Sequence, residues 1–180
     1  QRQELETYLI NNSNLPGPRA NLELVFAFAD LCADLTPSQA DLEQLQQWLT
    51  ISETDTDTND PKTFLPFCAL VALGAIYPNV DKARQNDIVK RLQTSANDGR
   101  WRIREAVAMG FQRIAEKNVS VIVNTFSTWI DDATLAEQRA ILAALAHPPI
   151  LYDANTVRFG LHVSGKILAG IKQLSPMERK

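Results

Sequence analysis

The residues best suited to chemistry lie between positions 97 and 117, in the stretch "NDGRWRIREAVAMGFQRIAEK", where one tryptophan and three arginines fall within five successive positions. Such a stretch is typical of a nucleic-acid-binding helix, of a catalytic helix or of the inner helix of a repeat. A helical wheel of about 100° per residue helps to distinguish these possibilities. It places one apolar stripe on a single face: Ile103, Val107, Gly110, Phe111 and Ile114. Arg102 and Arg113 flank this stripe on one side and Arg104 on the other, so the arginines form no single basic face, which weakens the nucleic-acid interpretation.

The charge of the chain changes sign along the sequence, although the whole chain carries only −3. Residues 1–81 contain three basic and twelve acidic side chains, whereas residues 82–117 contain nine basic and four acidic ones. This basic segment could bind an anionic partner, or its charges could belong to solvated helix faces that pair with neighbouring helices. If a partner exists, we expect the side chains most free of core contacts to bind it: Arg100, Arg102, Arg113 and Lys117.

The sequence contains no motif for metal-dependent or nucleophilic catalysis. The two histidines, His147 and His162, and the two cysteines lack the short spacings of metal ligands, and no glycine-rich phosphate loop occurs. We therefore expect no cofactor and no metal, and a non-enzymatic protein rather than an enzyme.

Cysteines and apolar runs bear on the cellular compartment. Cys32 and Cys68 both lie in apolar helical patterns, which favours buried free thiols in a reducing compartment and leaves a disulfide open. The N-terminal stretch "QRQELETYLI" lacks the apolar core of a signal peptide. Nothing approaches a run of about eighteen apolar residues, so no transmembrane helix is expected. These features predict a cytoplasmic protein that does not bind a membrane.

Composition and periodicity predict an all-α protein of one domain, residues 1–180. Alanine and leucine dominate, and long alternating runs of β-branched residues are absent. Helices are predicted at about residues 2–12, 19–34, 38–50, 62–77, 80–96, 101–116, 118–130, 134–146 and 154–173. Pro18 is expected in the first turn of the second helix. Thr36, Pro37 and Ser38 are expected to provide the cap and first turn of the third helix, and Asp153 the N-terminal cap of the last.

The segment "SETDTDTND", residues 52–60, is polar, acidic and without periodicity, which predicts a mobile loop. Its acidic ladder raises the possibility of a Ca²⁺ site. An EF-hand loop, however, needs a glycine after the ladder and a glutamate at its twelfth position. Neither is present, so a solvated loop is favoured.

The helical segments recur with a period in the thirties. Residues 68–76 align with residues 105–114 at a shift of 36, which matches Gly74 with Gly110. Residues 105–114 align in turn with residues 138–145 at a shift of 35. This period is typical of a helical solenoid, in which two-helix units stack to bury their apolar faces. It predicts that three helices lie in one layer: residues 62–77, 101–116 and 134–146.

The stretch "DGRWRIREAVAMG" resembles the second half of a HEAT repeat. In that family an aspartate in the turn within the repeat is followed six residues later by an arginine, and Asp98 and Arg104 match these places. Arg139 matches the arginine of the next unit, whereas Pro66 replaces it in the unit before. The resemblance covers about residues 36–146 and implies a right-handed α-solenoid of stacked antiparallel helix pairs. It also implies a structural ladder of ion pairs through Asp98, Arg104 and Arg139.

A HEAT-like fold implies a concave helical surface, and the function expected from it is a protein-interaction scaffold whose partner is another protein. The alternative is a DNA-binding or base-excision protein, because some HEAT-like proteins remove alkylated bases from DNA through a cleft of tryptophans, an aspartate and basic residues. "TWIDD" offers Trp129, Asp131 and Asp132 for that role. Trp48 and Trp129 follow a common pattern in their helices, however, which favours a packing role for both.

The last predicted helix, residues 154–173, is expected to cap the solenoid. Its apolar stripe comprises Val157, Leu161, Leu168 and Ile171, and its polar positions are Arg158, His162, Lys166 and Lys172. A terminal helix with one apolar and one wet face would close the stack. The sequence leaves the oligomeric state open.

Overall fold

The computed structural model describes residues 2–35 and 37–173, and that part of the chain is helical and contains no strand. The α-helices are α1 (Arg2–Asn11), α2 (Leu22–Asp34), α3 (Gln39–Trp48), α4 (Phe64–Ile76), α5 (Lys82–Ser95), α6 (Trp101–Lys117), α7 (Val119–Trp129), α8 (Leu135–Leu145) and α9 (Ala154–Gln173). Short 3₁₀ turns cover Pro61–Thr63, Tyr77–Asn79 and Pro148–Ile150. The all-α prediction and the predicted helices are confirmed, with ends that differ by a few residues.

Polar side chains fix the starts of several helices. Ser38 and Asp41 form a reciprocal capping box at α3, in which each side chain accepts a hydrogen bond from the other's backbone N–H. Thr36 lies outside the described residues. Asp153 accepts from the Thr156 N–H at 2.7 Å in the first turn of α9. Pro18 is not in the first turn of α2, because Asn21 caps that helix through its side chain and moves the start to Leu22.

The helices pack in an alternating order. α2, α4, α6 and α8 lie side by side in a row. α3, α5 and α7, which connect successive members of this row in the sequence, pack against it. α1 contacts α4, and α9 contacts α7 and α8. Residues 62–77, 101–116 and 134–146, which the repeat spacing assigns to one layer, form α4, α6 and α8, three adjacent members of this row.

α4 is the centre of the core, since each of its residues is buried. It packs closely on α6, where a Cβ atom added to Gly74 would lie 2.1 Å from the carbonyl oxygen of Gly110. The two backbones therefore touch, and only glycine fits at this crossing. The stretch Pro61–Asn79 is long and apolar enough to cross a membrane by length and composition, and 83% of that window is buried inside the protein.

Two of the tryptophans belong to aromatic clusters of the core. Trp48 is 2% exposed, lies 5.6 Å from Phe28 between ring centres, and donates its indole N–H to Glu6 at 2.8 Å. Trp129 packs against Phe111 and Phe126 at 5.7 and 5.9 Å. These contacts agree with the packing role that their sequence pattern favours.

α9 packs only partly through its predicted apolar stripe, since Ile171 contacts the core and Val157 is half-buried. Its buried residues are Thr156, Val163 and Ile167, whereas Leu161 is 69% and Leu168 is 53% exposed. The interpretation of α9 as a helix with an apolar inner stripe and a polar outer face is therefore wrong in its orientation. Both faces carry aliphatic residues, so periodicity alone does not determine which of them contacts α7 and α8.

Candidate binding site: a basic helix between two grooves

Arg100, at the N-terminus of α6, is a buried structural residue. Only 5% of it is exposed, and its guanidinium binds both carboxylate oxygens of Asp98, with an Nη2–Oδ2 distance of 2.7 Å. It also donates to the Thr56 hydroxyl at 2.8 Å and to the Ile51 carbonyl at 2.9 Å. Arg100 therefore ties the loop before α4 to the turn before α6.

Arg102 is buried as well, with 2% of its surface exposed. Its guanidinium donates to the Thr58 carbonyl at 2.8 Å, to the Gly17 carbonyl and to Asn59 Oδ1 at 3.2 Å. It also lies over the Trp101 ring, 4.3 Å from the ring centre. These acceptors are neutral, and burial lowers the pKa of Arg102 from its ordinary value.

These contacts correct two expectations. Arg100 and Arg102 are not free of core contacts, so they are unavailable to a partner while the chain keeps this fold. Residues 52–60 do not form a fully solvated loop, because Thr56 is buried and Arg100 and Arg102 both donate hydrogen bonds to this segment. The helical periodicity of α6 does not predict the burial of Arg100 and Arg102, because the loop that covers them, residues 52–60, is distant in sequence.

The other predicted binding residues lie at the far end of α6. Arg113 is largely buried and binds Asp30 on α2 and Glu116 on its own helix, the latter at 2.9 Å. Lys117 is exposed. Arg113 thus lies about three turns and Lys117 about four turns beyond Arg102, so the four do not form one surface.

Arg104 contacts Asp98, but through the backbone of Asp98 and not through its carboxylate. Arg104 Nη1 donates to the backbone carbonyl oxygens of Asp98 and Gly99, at 2.7 and 2.9 Å. The Asp98 carboxylate binds Arg100 instead. Arg139 is exposed on α8, and among the described residues it has no ion-pair partner. A contact between Asp98 and Arg104 is therefore present as predicted, but Arg104 binds the Asp98 carbonyl oxygen and forms no side-chain ion pair with it, and in this way Arg104 holds the turn that precedes α6.

Hydrogen bonds do connect the turns of successive helix pairs. The turn between α5 and α6 binds the α3–α4 loop through the Gly99 N–H, which donates to Glu53 at 2.6 Å. On its other side, Asn97 donates to Glu137 at 2.8 Å and accepts from the Thr134 hydroxyl at 2.7 Å. Three turns are thus joined edge to edge by residues other than Asp98 and Arg104.

The exposed basic surface lies on α5. Four basic side chains of this helix are exposed, Lys82, Arg84, Lys90 and Arg91, and its single acidic residue is Asp87. α5 buries only Ile88 and Leu92, so the helix stands out from the row as a basic ridge. The basic segment 82–117 includes these four side chains, but the predicted binding residues, Arg100, Arg102, Arg113 and Lys117, lie on or beside α6, because the sequence predicts these to be the most free of core contacts.

A groove of about 480 Å³, hereafter the first groove, separates α5 from α3. Its floor is aliphatic and is formed by Leu42, Leu49, Leu73, Val80 and Ile88. Arg84, Lys90 and Arg91 lie on the α5 side together with the single carboxylate Asp87, and Arg84 reaches across the mouth to Gln39 on α3 at 2.8 Å. The volume falls in the range of about 300–1,000 Å³ that is common for ligand sites.

A second groove, of about 550 Å³, lies on the opposite side of α5, against α7. Tyr77, Val89 and Val121 provide its apolar surface, and Lys82 and Lys90 its positive charge. Lys90 borders both grooves. The basic ridge therefore separates two open clefts, of which the first has the larger aliphatic floor.

Side chains with catalytic potential are engaged elsewhere. His147 bonds to Glu116 at 2.8 Å, and Asp131 of "TWIDD" binds Lys166 of α9. Within residues 2–35 and 37–173, no group of three or more His, Cys, Asp or Glu side chains is arranged to hold a metal ion. Both cysteines are free, and burial raises the pKa of each thiol.

Comparisons of the chain with protein-family models, with curated proteins and with solved structures find no match.

Proposed function

We propose that this chain is a HEAT-like, right-handed α-solenoid that acts as a non-enzymatic interaction scaffold in the cytoplasm. Its partner is another protein, which inserts an acidic, amphipathic segment into the first groove beside α5. The single observation that carries this proposal is the combination of an aliphatic floor with an exposed basic ridge.

Packing and hydrogen bonding support the solenoid part of the proposal. Alternate helices form one row, and the turns of successive helix pairs are hydrogen-bonded to each other. Gly74 and Gly110, which are equivalent in the repeat alignment, meet at the α4–α6 crossing. The handedness is part of the proposal, and the two free thiols support a reducing compartment.

The chemistry of the first groove favours a protein segment over nucleic acid. Phosphate contacts require positive charge but no apolar floor, whereas an amphipathic helix needs an apolar cleft for one face. The basic rim then selects acidic side chains and accelerates encounter with an acidic partner. The DNA-binding alternative relies on the same ridge and gains no support from Trp48 and Trp129, because both pack in the core.

A fluorescent acidic amphipathic peptide of about five turns, with leucines at i, i+3, i+4 and i+7 and glutamates elsewhere, tests the proposal. Fluorescence anisotropy should show binding that weakens with salt, and a peptide of the same composition with scrambled leucines should bind less tightly. The variant Lys90→Glu/Arg91→Glu should weaken binding about tenfold or more, because like charges then face each other.

The matched control is Lys62→Glu/Arg139→Glu, which makes the same change in net charge at two exposed residues away from both grooves. It should bind the peptide as the native chain does. Equal loss in both double variants would mean that only net charge matters, and the proposed site would then be wrong. Binding of a short DNA duplex in place of the peptide, with a steep salt dependence, would favour the nucleic-acid alternative.

A further inference from the structure

The outermost helices at the two ends of the row carry opposite charge, although the loops beside α9 add Asp131, Asp132 and Asp153, and Asp131 binds Lys166. Residues 2–48, which form α1, α2 and α3, contain seven acidic and two basic side chains. α9, at the other end, contains three basic residues, one histidine and no acidic residue. Helices α1–α3 pack on the α4 side of the row and α9 on the α7–α8 side, so these charges lie at opposite ends.

The acidic end has an apolar pocket, hereafter the end pocket, with a volume of about 190 Å³. Its lining includes Leu5, Phe28, Leu31, Leu35, Leu45 and Trp48. Leu31 is 55% and Leu35 is 61% exposed, so the mouth of the pocket is apolar and accessible. Asp34 lies exposed between these two leucines in sequence, and Asp41 lines the pocket together with Arg2. Leucines in contact with water beside carboxylates thus characterise this end.

On the outer face of α9, at the other end of the row, exposed leucines lie beside basic instead of acidic side chains. Leu161 and Leu168 are exposed and seven residues apart, so they lie two turns apart on one side of the helix. Arg158 is exposed one turn before Leu161, and Gly165 lies between the leucines, where an added Cβ would meet no atom within 4 Å. This face, hereafter the α9 face, is therefore an open apolar strip with positive charge beside it.

We propose that a second copy of this chain places its α9 face on the end pocket, so that the protein associates head to tail. The apolar parts bury each other, and the positive charge of one end meets the negative charge of the other. Pairing of two identical ends would instead bring acid against acid or base against base, which opposes a symmetric dimer. A contact between different surfaces leaves one free pocket and one free α9 face, so further copies can add.

The test measures the mass of the full chain in solution against concentration, by analytical ultracentrifugation. The native protein should exceed its monomer mass of 20.1 kDa as concentration rises, and less so at high salt. Leu31→Lys places a positive charge at the end pocket, and Leu168→Asp places a negative charge on the α9 face. Each change should weaken association about tenfold or more, because it opposes the charge of the incoming end.

Mixing the two variants is the decisive experiment. The Leu31→Lys chain keeps an intact α9 face and the Leu168→Asp chain an intact end pocket, so the mixture should form a one-to-one dimer and stop there. Ala83→Asp, at an exposed position on α5, is the control and should associate as the native chain does. Circular dichroism verifies that each variant is folded. A native chain that remains monomeric at every concentration, or variants whose mixture forms no dimer, would overturn the proposal.

Discussion

Buried guanidinium groups explain the local structure around the first turn of α6 better than any exposed charge does. Arg102 brings a positive charge into the protein and satisfies it with carbonyl and amide oxygens. Because these oxygens belong to the α1–α2 turn and the α3–α4 loop, the Arg102 side chain connects both segments to the first turn of α6. Loss of that side chain leaves partly buried carbonyl groups without a donor, which is more costly than loss of an exposed contact.

Arg102→Ala should therefore destabilise the fold by about 3 kcal/mol, which lowers the melting temperature of a chain of this size by roughly 6–12 °C. Arg139→Ala, an exposed arginine on α8, is the matched control and should change the melting temperature little. Thermal unfolding followed by circular dichroism compares the two. Equal stability of both variants would contradict a structural role for Arg102.

The cysteine thiols provide a second prediction for individual residues. Burial, with a smaller contribution from Asp41, raises the pKa of Cys32 from 9.0 to about 11. At pH 8 the folded chain should therefore react with maleimide at Cys32 about a hundredfold more slowly than the urea-unfolded chain, since the thiolate is the reactive form. Mass spectrometry of the labelled peptide measures this ratio, and equal rates in both states would contradict it.

The same shift in pKa has a consequence for stability. The unfolded thiol ionises first as the pH rises past about 9, whereas the folded thiol holds its proton until about 11. The contribution of Cys32 to the free energy of unfolding is thus fully present below pH 9 and is lost as the pH rises towards 11. Urea titrations should show a midpoint that falls in this window in the native chain and falls less in Cys32→Ala.

Sequence reasoning about single residues succeeds where the neighbours are local. The apolar stripe from Ile103 to Ile114 is buried as the wheel predicts, because residues three and four apart share a face. Arg100 and Arg102 fail the same reasoning, since Thr56, which binds Arg100, and Thr58, which binds Arg102, each lie 44 positions away in sequence. The spacing of six between Asp98 and Arg104 is real, but Arg100 is nearer and captures the carboxylate.

The α4–α6 crossing shows what one glycine contributes to a pair of helices. Gly74→Ala would force the two backbones apart and should destabilise the fold by about 1–3 kcal/mol or more. Gly165→Ala on α9 meets no neighbouring atom and should stabilise the helix by about 0.5–1 kcal/mol. Urea unfolding measures both, and a Gly74→Ala protein as stable as the native one would contradict the close approach of α4 and α6.

Helix positions are predictable for this chain because caps and turn residues are local signals. Ser38 begins α3 and Asp153 precedes α9, as their side-chain chemistry predicts. The orientation of α9 is not predictable in the same way. Val163 and Ile167 on one side compete with Leu161 and Leu168 on the other, and only the shape of the α7–α8 surface selects between them.

Across the whole molecule, charge is sorted along the row of helices. An acidic end is followed by the basic ridge of α5 and then by the basic α9, while the net charge of the chain is only −3. The sequence reveals this sorting through its charge counts. It does not reveal the grooves beside α5, because they arise from gaps between helices that are distant in sequence.

The central claim, that the basic ridge and the first groove form the binding surface, is tested most directly by nuclear magnetic resonance. Titration of the ¹⁵N-labelled chain with the acidic amphipathic peptide should shift the amide signals of Lys82–Ser95 and of the facing residues of α3. The signals around Arg100 and Arg102 should stay unchanged, because those side chains are buried in hydrogen bonds. Shifts confined to α8 and α9, or spread evenly over the chain, would contradict the proposed site.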